Sequence, residues 1–408
     1  MKTIKKIIII TLLFIIYAYV CYVAFLPSNY IIMQGENLRI NTLLGINLIS
    51  EESKNLETVQ TVSSINQTTV EQVGKIDFNL SLFNLFKIKD ISVNVIPKTS
   101  VVPVGEAIGM KLYTDGVLVV GMSEIEGKRP YENTGIQEGD RIIQINENNI
   151  SNTIELMEEV NASNGKKIDI KYVHDEETMT TSMTPVKNSD DEYKLGLWVR
   201  DAAAGVGTLT FYEPSTGMFA TLGHGILDVD TSDLIAIANG ELVTTNILNI
   251  QKGEKGTPGE IRGTIESGYT IGQISKNTAF GVYGVLNTPS YLSISKEDAI
   301  EVASREEIQT GQAEIICELE NGKREHYTIE IQKIFTGNNE DNKSMLIKVT
   351  DERLLEKTGG IIQGMSGAPI IQNDKFIGAV THVLVNDPTM GYGVFADIMI
   401  KQMRQTND

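Results

Sequence analysis

Twenty residues near the N-terminus, Ile7 to Leu26 ("IIIITLLFIIYAYVCYVAFL"), carry no charge and are closed by Pro27. No other feature restricts the chain so firmly, because a run of this length makes about 30 Å of helix, the thickness of a bilayer's hydrocarbon core. Lys2, Lys5 and Lys6 precede it, which keeps the N-terminus cytoplasmic and exports the body of the chain. A cleaved signal peptide has a shorter apolar stretch and a small-x-small exit. Val23-Ala-Phe-Leu26 offers no such exit, so residues 1–26 read as an uncleaved signal-anchor.

Past that anchor, 32 of the 35 Lys and Arg remain against 53 Asp and Glu, a net charge of −21. A strongly acidic body excludes a nucleic-acid binder, which needs clustered cations to neutralise phosphate. Only Cys21, inside the apolar run, and Cys317 are present, so no disulfide joins exported parts and stability must come from packing.

Residues 27–98 read as a connector followed by extended strands. Glu51 to Gly74 is polar, lacks aromatics and has no firm period, as an exposed connector does, whereas Lys75 to Lys98 alternates as strands do. A first folded body spans 99–187 and a second 188–408, divided at the charged turn Lys187 to Tyr193. In the first, an Asp115-Gly116 turn lies between β-rich segments, and Asn152-Thr-Ile-Glu155 opens a helix with Ile154, Met157 and Val160 on one side. The second is short strands and glycine turns, with one clear helix at Glu352 to Lys357, a pattern of sandwich or barrel packing.

"GGIIQGMSGAPI", Gly359 to Ile370, sets Ser366 between Gly364 and Gly367. Glycines alone would serve any tight bend, and a serine nucleophile needs a base, a group orienting that base, and N–H donors for the oxyanion. Of four histidines, His174 belongs to the first body and His326 to a solvated strand, while His382 alternates with Val380 and lines a cleft at best. His224 ends a strand between Gly223 and Gly225 and is the expected base. Asp351 has two readings, an acid orienting that base or the N-cap of the following helix. Asp228, Asp230 and Asp233 lack the spacing of a calcium loop and read as a solvated loop. No metal or other cofactor is expected.

"GIQEGDRIIQIN", Gly135 to Asn146, resembles the hallmark loop and strand of PDZ domains. That resemblance implies a peptide tail added at a sheet edge, its carboxylate held by the loop at Ile108, Gly109 and Met110. "GMSGAP" following "ATLGHGI" resembles the chymotrypsin-like serine peptidases, which implies a double β-barrel, His224 and Ser366 as base and nucleophile, and Gly364 and Ser366 as oxyanion donors. It also implies that the residue six before the serine, Gly360, sits at the base of the specificity pocket, with no carboxylate for Lys or Arg. The whole order, with "LGLWVRDAAAGVGTLTFYEP" between PDZ-like body and histidine, resembles the stage IV sporulation protein B peptidase family of endospore-forming bacteria. One departure is that in the wider superfamily the acid falls well before the serine, unlike Asp351.

The fold expected is therefore mainly β: a transmembrane helix, a PDZ domain and a chymotrypsin-like double-barrel peptidase domain. The resemblance implies a single-pass, self-processing endopeptidase of the forespore membrane, released into the intermembrane space after self-cleavage. Its substrate would be a membrane-bound regulator, whose cleavage triggers intramembrane proteolytic activation of a late mother-cell sigma factor. A non-catalytic PDZ adaptor and a generic envelope quality-control protease are the rival readings.

Overall fold

A computed structural model describes residues 2–24, 26–41, 46–50, 60–62, 65–69, 72–82, 86–287, 295–335 and 342–405. The apolar run forms α1 (Lys2–Ala24), long and apolar enough to cross a membrane. Most of it is exposed, but Val23 at its end is buried in a cluster with Leu38, Ile91 and Val93. Seven strands follow, β1 (Asn29–Met33), β2 (Asn37–Asn41), β3 (Ile46–Ser50), β4 (Gln60–Val62), β5 (Ile65–Thr69), β6 (Gly74–Leu82) and β7 (Phe86–Ile96), and the cluster's strand residues come from β1, β2, β6 and β7. They form two small sheets, ordered β1-β7-β6-β3 and β2-β5-β4. Of the expected connector, 51–59, 63–64 and 70–71 lie outside the described residues. The rest differs from expectation: β4 and β5 are paired strands, drawn into a sheet by β2 despite their polar sequence.

Next comes β8 (Ser100–Met122), long enough to serve two bodies. Its last residues pair with β9 (Arg141–Ile145), which also pairs with β10 (Asn148–Asn149). With α2 (Thr153–Ala162), β11 (Ile168–His174) and β12 (Glu177–Met183) they enclose a core of Val117, Val119, Ile142, Leu156 and Ile170. Asn152 caps α2 by accepting from the Glu155 N–H at 2.9 Å, while Glu155 accepts from the Ser151 N–H at 2.8 Å, so the reciprocal bond falls one residue early. The expected apolar face of α2 is only partly right. Leu156 and Val160 are buried, but Ile154 and Met157 are exposed.

The expected junction is a hairpin of β13 (Val186–Lys187) and β14 (Tyr193–Lys194). It is not a clean division, because the next strand, β15 (Leu197–Tyr212), pairs with β8 over nearly its whole length. With β16 (Met218–Thr221), β17 (Ile237–Gln251), β18 (Glu260–Thr278) and β19 (Gly281–Leu286), these strands make a ring β8-β15-β16-β19-β18-β17, closed where β17 returns to β8. Ile108, Met110, Leu209, Phe219, Leu242 and Val282 fill it.

After β20 (Ile300–Glu301), a second closed barrel is built from β21 (Gly311–Glu320), β22 (Lys323–Ile334), β23 (Met345–Val349), β24 (Pro369–Gln372), β25 (Lys375–Leu384) and β26 (Asp387–Phe395). Tyr327, Ile329, Ile347, Ile370, Phe376 and Val394 lie in its core. The expected helix is α3 (Glu352–Thr358); a further one, α4 (Ala396–Arg404), was not expected and buries Ile398, Met399, Ile400 and Met403. The barrels are tied where the Ala107 N–H donates to Glu318 Oε2 at 2.9 Å and Arg324 Nη1 to the Val104 carbonyl at 3.0 Å. The mainly β architecture, with its apolar helix, PDZ body and paired barrels, is the fold expected from sequence.

Candidate active site

Ser366 lies on the loop between α3 and β24, pressed against the first barrel. Gly364 and Gly367 flank it at φ +96° and +95°, a region that side chains disfavour. A Cβ on Gly364 would come within 2.9 Å of Ile261, and one on Gly367 would collide with the Thr208 carbonyl and lie 2.6 Å from the Leu222 nitrogen. The glycines flanking the serine thus answer both to backbone geometry and to the opposing barrel.

The amides of this loop divide into two groups. Those of Gln363, Met365, Gly367 and Ala368 donate to the carbonyls of Gly259, Ile362, Val380 and Met365 at 2.8–3.1 Å. Those of Gly364 and Ser366 have no acceptor among the described residues, so they are the donors left for a ligand oxygen. Thr208, on β15, holds the loop from across the interface: its hydroxyl donates to the Gly364 carbonyl at 2.7 Å and its N–H to the Ser366 carbonyl at 3.1 Å. Nothing in the sequence singles out Thr208, which sits in an ordinary strand.

His224 follows β16 through Leu222, which takes a left-handed φ of +66°. Its Nδ1 faces the Gly225 carbonyl at 2.9 Å. A ring nitrogen facing a carbonyl must carry the proton, which leaves Nε2 as the basic nitrogen. Burial depresses the pKa of His224, and the Gly225 bond only partly opposes it, so the ring is neutral at neutral pH. His382, exposed on β25, has its ring centroid 5.1 Å from that of His224. Ser366 Oγ donates to the Thr381 carbonyl at 2.8 Å; it faces that acceptor rather than the histidine.

Ser366, His224, His382 and Gly364 line one cleft of about 810 Å³ between the barrels. Leu222, Ile226, Leu234, Ile361 and Ile362 make its walls apolar, and no Asp or Glu lines it among the described residues. Gly360, expected beneath the specificity pocket, is not a lining residue; its α-carbon packs against the Pro388 backbone, where a Cβ would clash.

Asp351 lies apart from these groups. It caps α3, accepting from the Arg353 N–H at 3.0 Å and the Thr328 N–H at 3.2 Å, and pairs with the Arg353 guanidinium at 2.9 Å. These donors, the guanidinium above all, hold its carboxyl below the usual range. Of the two readings the structure contains the helix cap, and the group facing His224 Nδ1 is the Gly225 carbonyl. Asp228 and Asp230 depart from the solvated loop expected of them. Both pair with Arg200 of β15, and buried Asp228 also accepts from the N–H groups of Asp230 and Thr231 at 2.9 and 3.1 Å. Thus the loop after His224 is anchored by ion pairs. No group of side chains among the described residues could hold a metal ion.

The loop expected to bind a chain end is also corrected. Ile108, Gly109 and Met110 are strand residues of β8, paired on one edge with Gly207, Val206 and Gly205 of β15 and on the other with Thr244, Val243 and Leu242 of β17. Their amides are committed to the barrel. The stretch has the pattern of a PDZ loop, but barrel closure claims it.

Two barrels with a serine and a neutral histidine in the cleft between them, fused to a PDZ body, define a PDZ-containing serine peptidase. The family model of the SpoIVB peptidase S55 matches residues 191–400, and that of the PDZ domain residues 91–184. The chain belongs to the SpoIVB peptidase family. No curated protein matches it. Among solved structures it is similar to the PDZ domain of an SdrC-like protein from Listeria monocytogenes, at 18% identity over 21% of this chain and 87% of that one, with a TM-score of 0.18.

Proposed function

We propose that Ser366 is the nucleophile and His224 the general base of a membrane-anchored, self-processing endopeptidase of sporulation signalling. The observation that carries this is the meeting of Ser366, a neutral His224 and two uncommitted amides in one apolar cleft. A rotation about χ1 turns Ser366 Oγ from the Thr381 carbonyl toward His224 Nε2. Oγ then attacks the peptide carbonyl carbon as its proton passes to Nε2, and the oxyanion accepts from the Gly364 and Ser366 N–H groups. Collapse returns that proton to the departing amine. Water, deprotonated by the same nitrogen, hydrolyses the acyl-enzyme and restores the serine.

Residues 51–74 belong to the same chain as the cleft, which raises their effective concentration for self-cleavage; β4 and β5 must leave their sheet for a cut there, which releases the body. The finer role is cleavage of a membrane-bound regulator whose loss starts intramembrane proteolysis and activates a late mother-cell sigma factor at the forespore membrane. It is supported by the family assignment and by the apolar N-terminal helix. Mapping new protein termini in membranes of sporulating cells, wild-type against Ser366→Ala, tests it. One or two cut membrane proteins and a full-length Ser366→Ala chain are expected. Broad cutting of unfolded proteins would make it a quality-control protease, and normal sporulation with Ser366→Ala a PDZ adaptor.

A further inference from the structure

β15 pairs with β8 along one edge, but its other edge meets β16 only from Leu209 onward. From Leu197 to Val206 that second edge has no strand partner among the described residues. The direction of its main-chain groups follows from Thr208, whose N–H points away from β8 to the Ser366 carbonyl. Register is unbroken from Ala202 to Leu209, and alternate residues of a strand turn their N–H and C=O groups to the same side. The N–H and C=O groups of Ala202, Ala204 and Val206 therefore face the open edge.

This edge runs from the cleft to the PDZ body. At one end, Ala203 to Val206 line the cleft with Ser366 and His224, and a Cβ on Gly205 would meet nothing within 4 Å. At the other, Leu197 to Arg200 pair with Leu118 to Met122 of the PDZ body, and Asp201 accepts from the N–H of Thr153 at the start of α2 at 2.7 Å. Exposed Ile154 and Met157 on that helix and Trp198, 63% exposed on β15, put apolar side chains at this end. Unpaired edges of this kind recruit another strand.

We propose that the open edge of β15 is a docking track for the part of a polypeptide substrate that lies beyond the scissile bond, bound as an added antiparallel strand from the cleft to the start of α2. Antiparallel addition fixes the polarity. β15 runs toward the cleft, so an antiparallel partner runs from the cleft outward in the N-to-C direction. At about 3.3 Å per residue the track takes roughly nine residues beyond the bond. The PDZ body and the peptidase barrel then act on one continuous strand, and Ile108 to Met110 are not needed to hold a chain end. This deepens the proposed function and rests on Ser366 as nucleophile.

The test uses the full chain in detergent. A proteome-derived peptide library identifies a well-cleaved sequence, which is then synthesised with three, six, nine and twelve residues after the bond. We expect kcat/KM to rise about ten-fold between three and nine residues, equivalent to roughly 1.4 kcal/mol, and then to level off. In the Ser366→Ala chain, emission from Trp198, the sole tryptophan, should shift with the nine-residue peptide and not with the three-residue one. Ala202→Pro removes an N–H that faces the open edge and leaves the β8 ladder intact; it should bring the long-to-short ratio below about two-fold. Should that variant unfold, Trp198→Ala, with a ratio of about three-fold, takes its place. Cleavage indifferent to length, with Trp198 emission unchanged, overturns the track alone. Cleavage that persists in Ser366→Ala overturns the assignment of the nucleophile instead.

Discussion

The two barrels carry the two groups proposed to react, Ser366 and His224, on unlike foundations. The second is closed by β21 to β26 alone, although its core runs on into Phe211, Ala220 and Tyr283 of the first, and Ser366 sits on a loop whose neighbouring amides are fixed by backbone carbonyls. The first closes only by using β8 and β15, which run on into the PDZ body. His224 leads into a loop whose buried Asp228 is held by Arg200, on the stretch of β15 that also completes the PDZ sheet. The first barrel therefore touches both loops, by Arg200 on the side of His224 and by Thr208 on the side of Ser366. A strain at the PDZ body has two paths along β15, through Arg200 to the loop beyond His224 and through Thr208 to the Gly364 and Ser366 carbonyls.

The largest effect tests whether the two foundations meet in one reaction. Ser366→Ala and His224→Ala should each lower peptide cleavage by about 10³-fold or more, and the double variant by little more, since nucleophile and base act as a unit. Melting temperatures should stay near wild type, because neither side chain belongs to a barrel core. His382→Ala should cost less than about ten-fold if it only lines the cleft. A His382 variant as inactive as His224→Ala would move the base from the first barrel to the second and remove the contrast.

Next in size is the coupling itself. Arg200→Met keeps the aliphatic stem but leaves the Asp228 carboxylate buried without its cation, at a cost of about 3 kcal/mol. Loosening the loop beyond His224 should lower kcat about ten-fold, as misplaced groups do. Asp228→Asn added to Arg200→Met should return part of the melting temperature by removing the unpaired charge. An Arg200→Met chain with wild-type kcat and stability would separate the base from the PDZ strand.

The pH profile gives a smaller effect and probes the same loop. Burial lowers the pKa of His224, so its neutral, basic form persists below the ordinary histidine value of about 6.5. The acid limb of kcat/KM should then have its midpoint below that value, with activity level through neutrality. The sign for stability agrees: a depressed histidine pKa destabilises the fold as pH falls through the unfolded value, because the folded site resists the proton. A limb centred above 6.5 would require an acid beside the ring.

The sequence revealed what depends on local chemistry and concealed what depends on closure. The apolar helix, the caps at Asn152 and Asp351, and the Ser366 loop follow from short-range rules, and each was legible. Ile108 to Met110 were misread because a PDZ loop and a barrel strand share the same alternation of glycine and apolar residues, and only the far partner β17, more than 120 residues on, decides between them. Arg200 and Thr208 left no trace because their roles lie in partners 28 and 156 residues away. Asp228 was read as solvated because its neighbours are polar, although Arg200 draws it under the surface.

Asp351→Asn should have the smallest effect on catalysis, and it decides whether the acid 15 residues before the serine serves the site or the scaffold. Asp351 is buried on the second barrel, where it accepts from two backbone N–H groups and pairs with Arg353. Asparagine retains a cap but loses the charge-assisted bonds, so stability should fall by about 1–2 kcal/mol. That loss has a pH signature. A depressed carboxyl pKa contributes stability that is present above its unfolded value, about 3.9, and lost as pH falls through the lower folded value, so wild type and variant should converge in melting temperature only in strong acid. Cleavage at neutral pH should stay within about three-fold, since the group facing His224 Nδ1 is the Gly225 carbonyl on the first barrel. A rate loss of about 10³-fold or more at unchanged melting temperature would instead make Asp351 an orienting acid reached by rearrangement of the His224 loop.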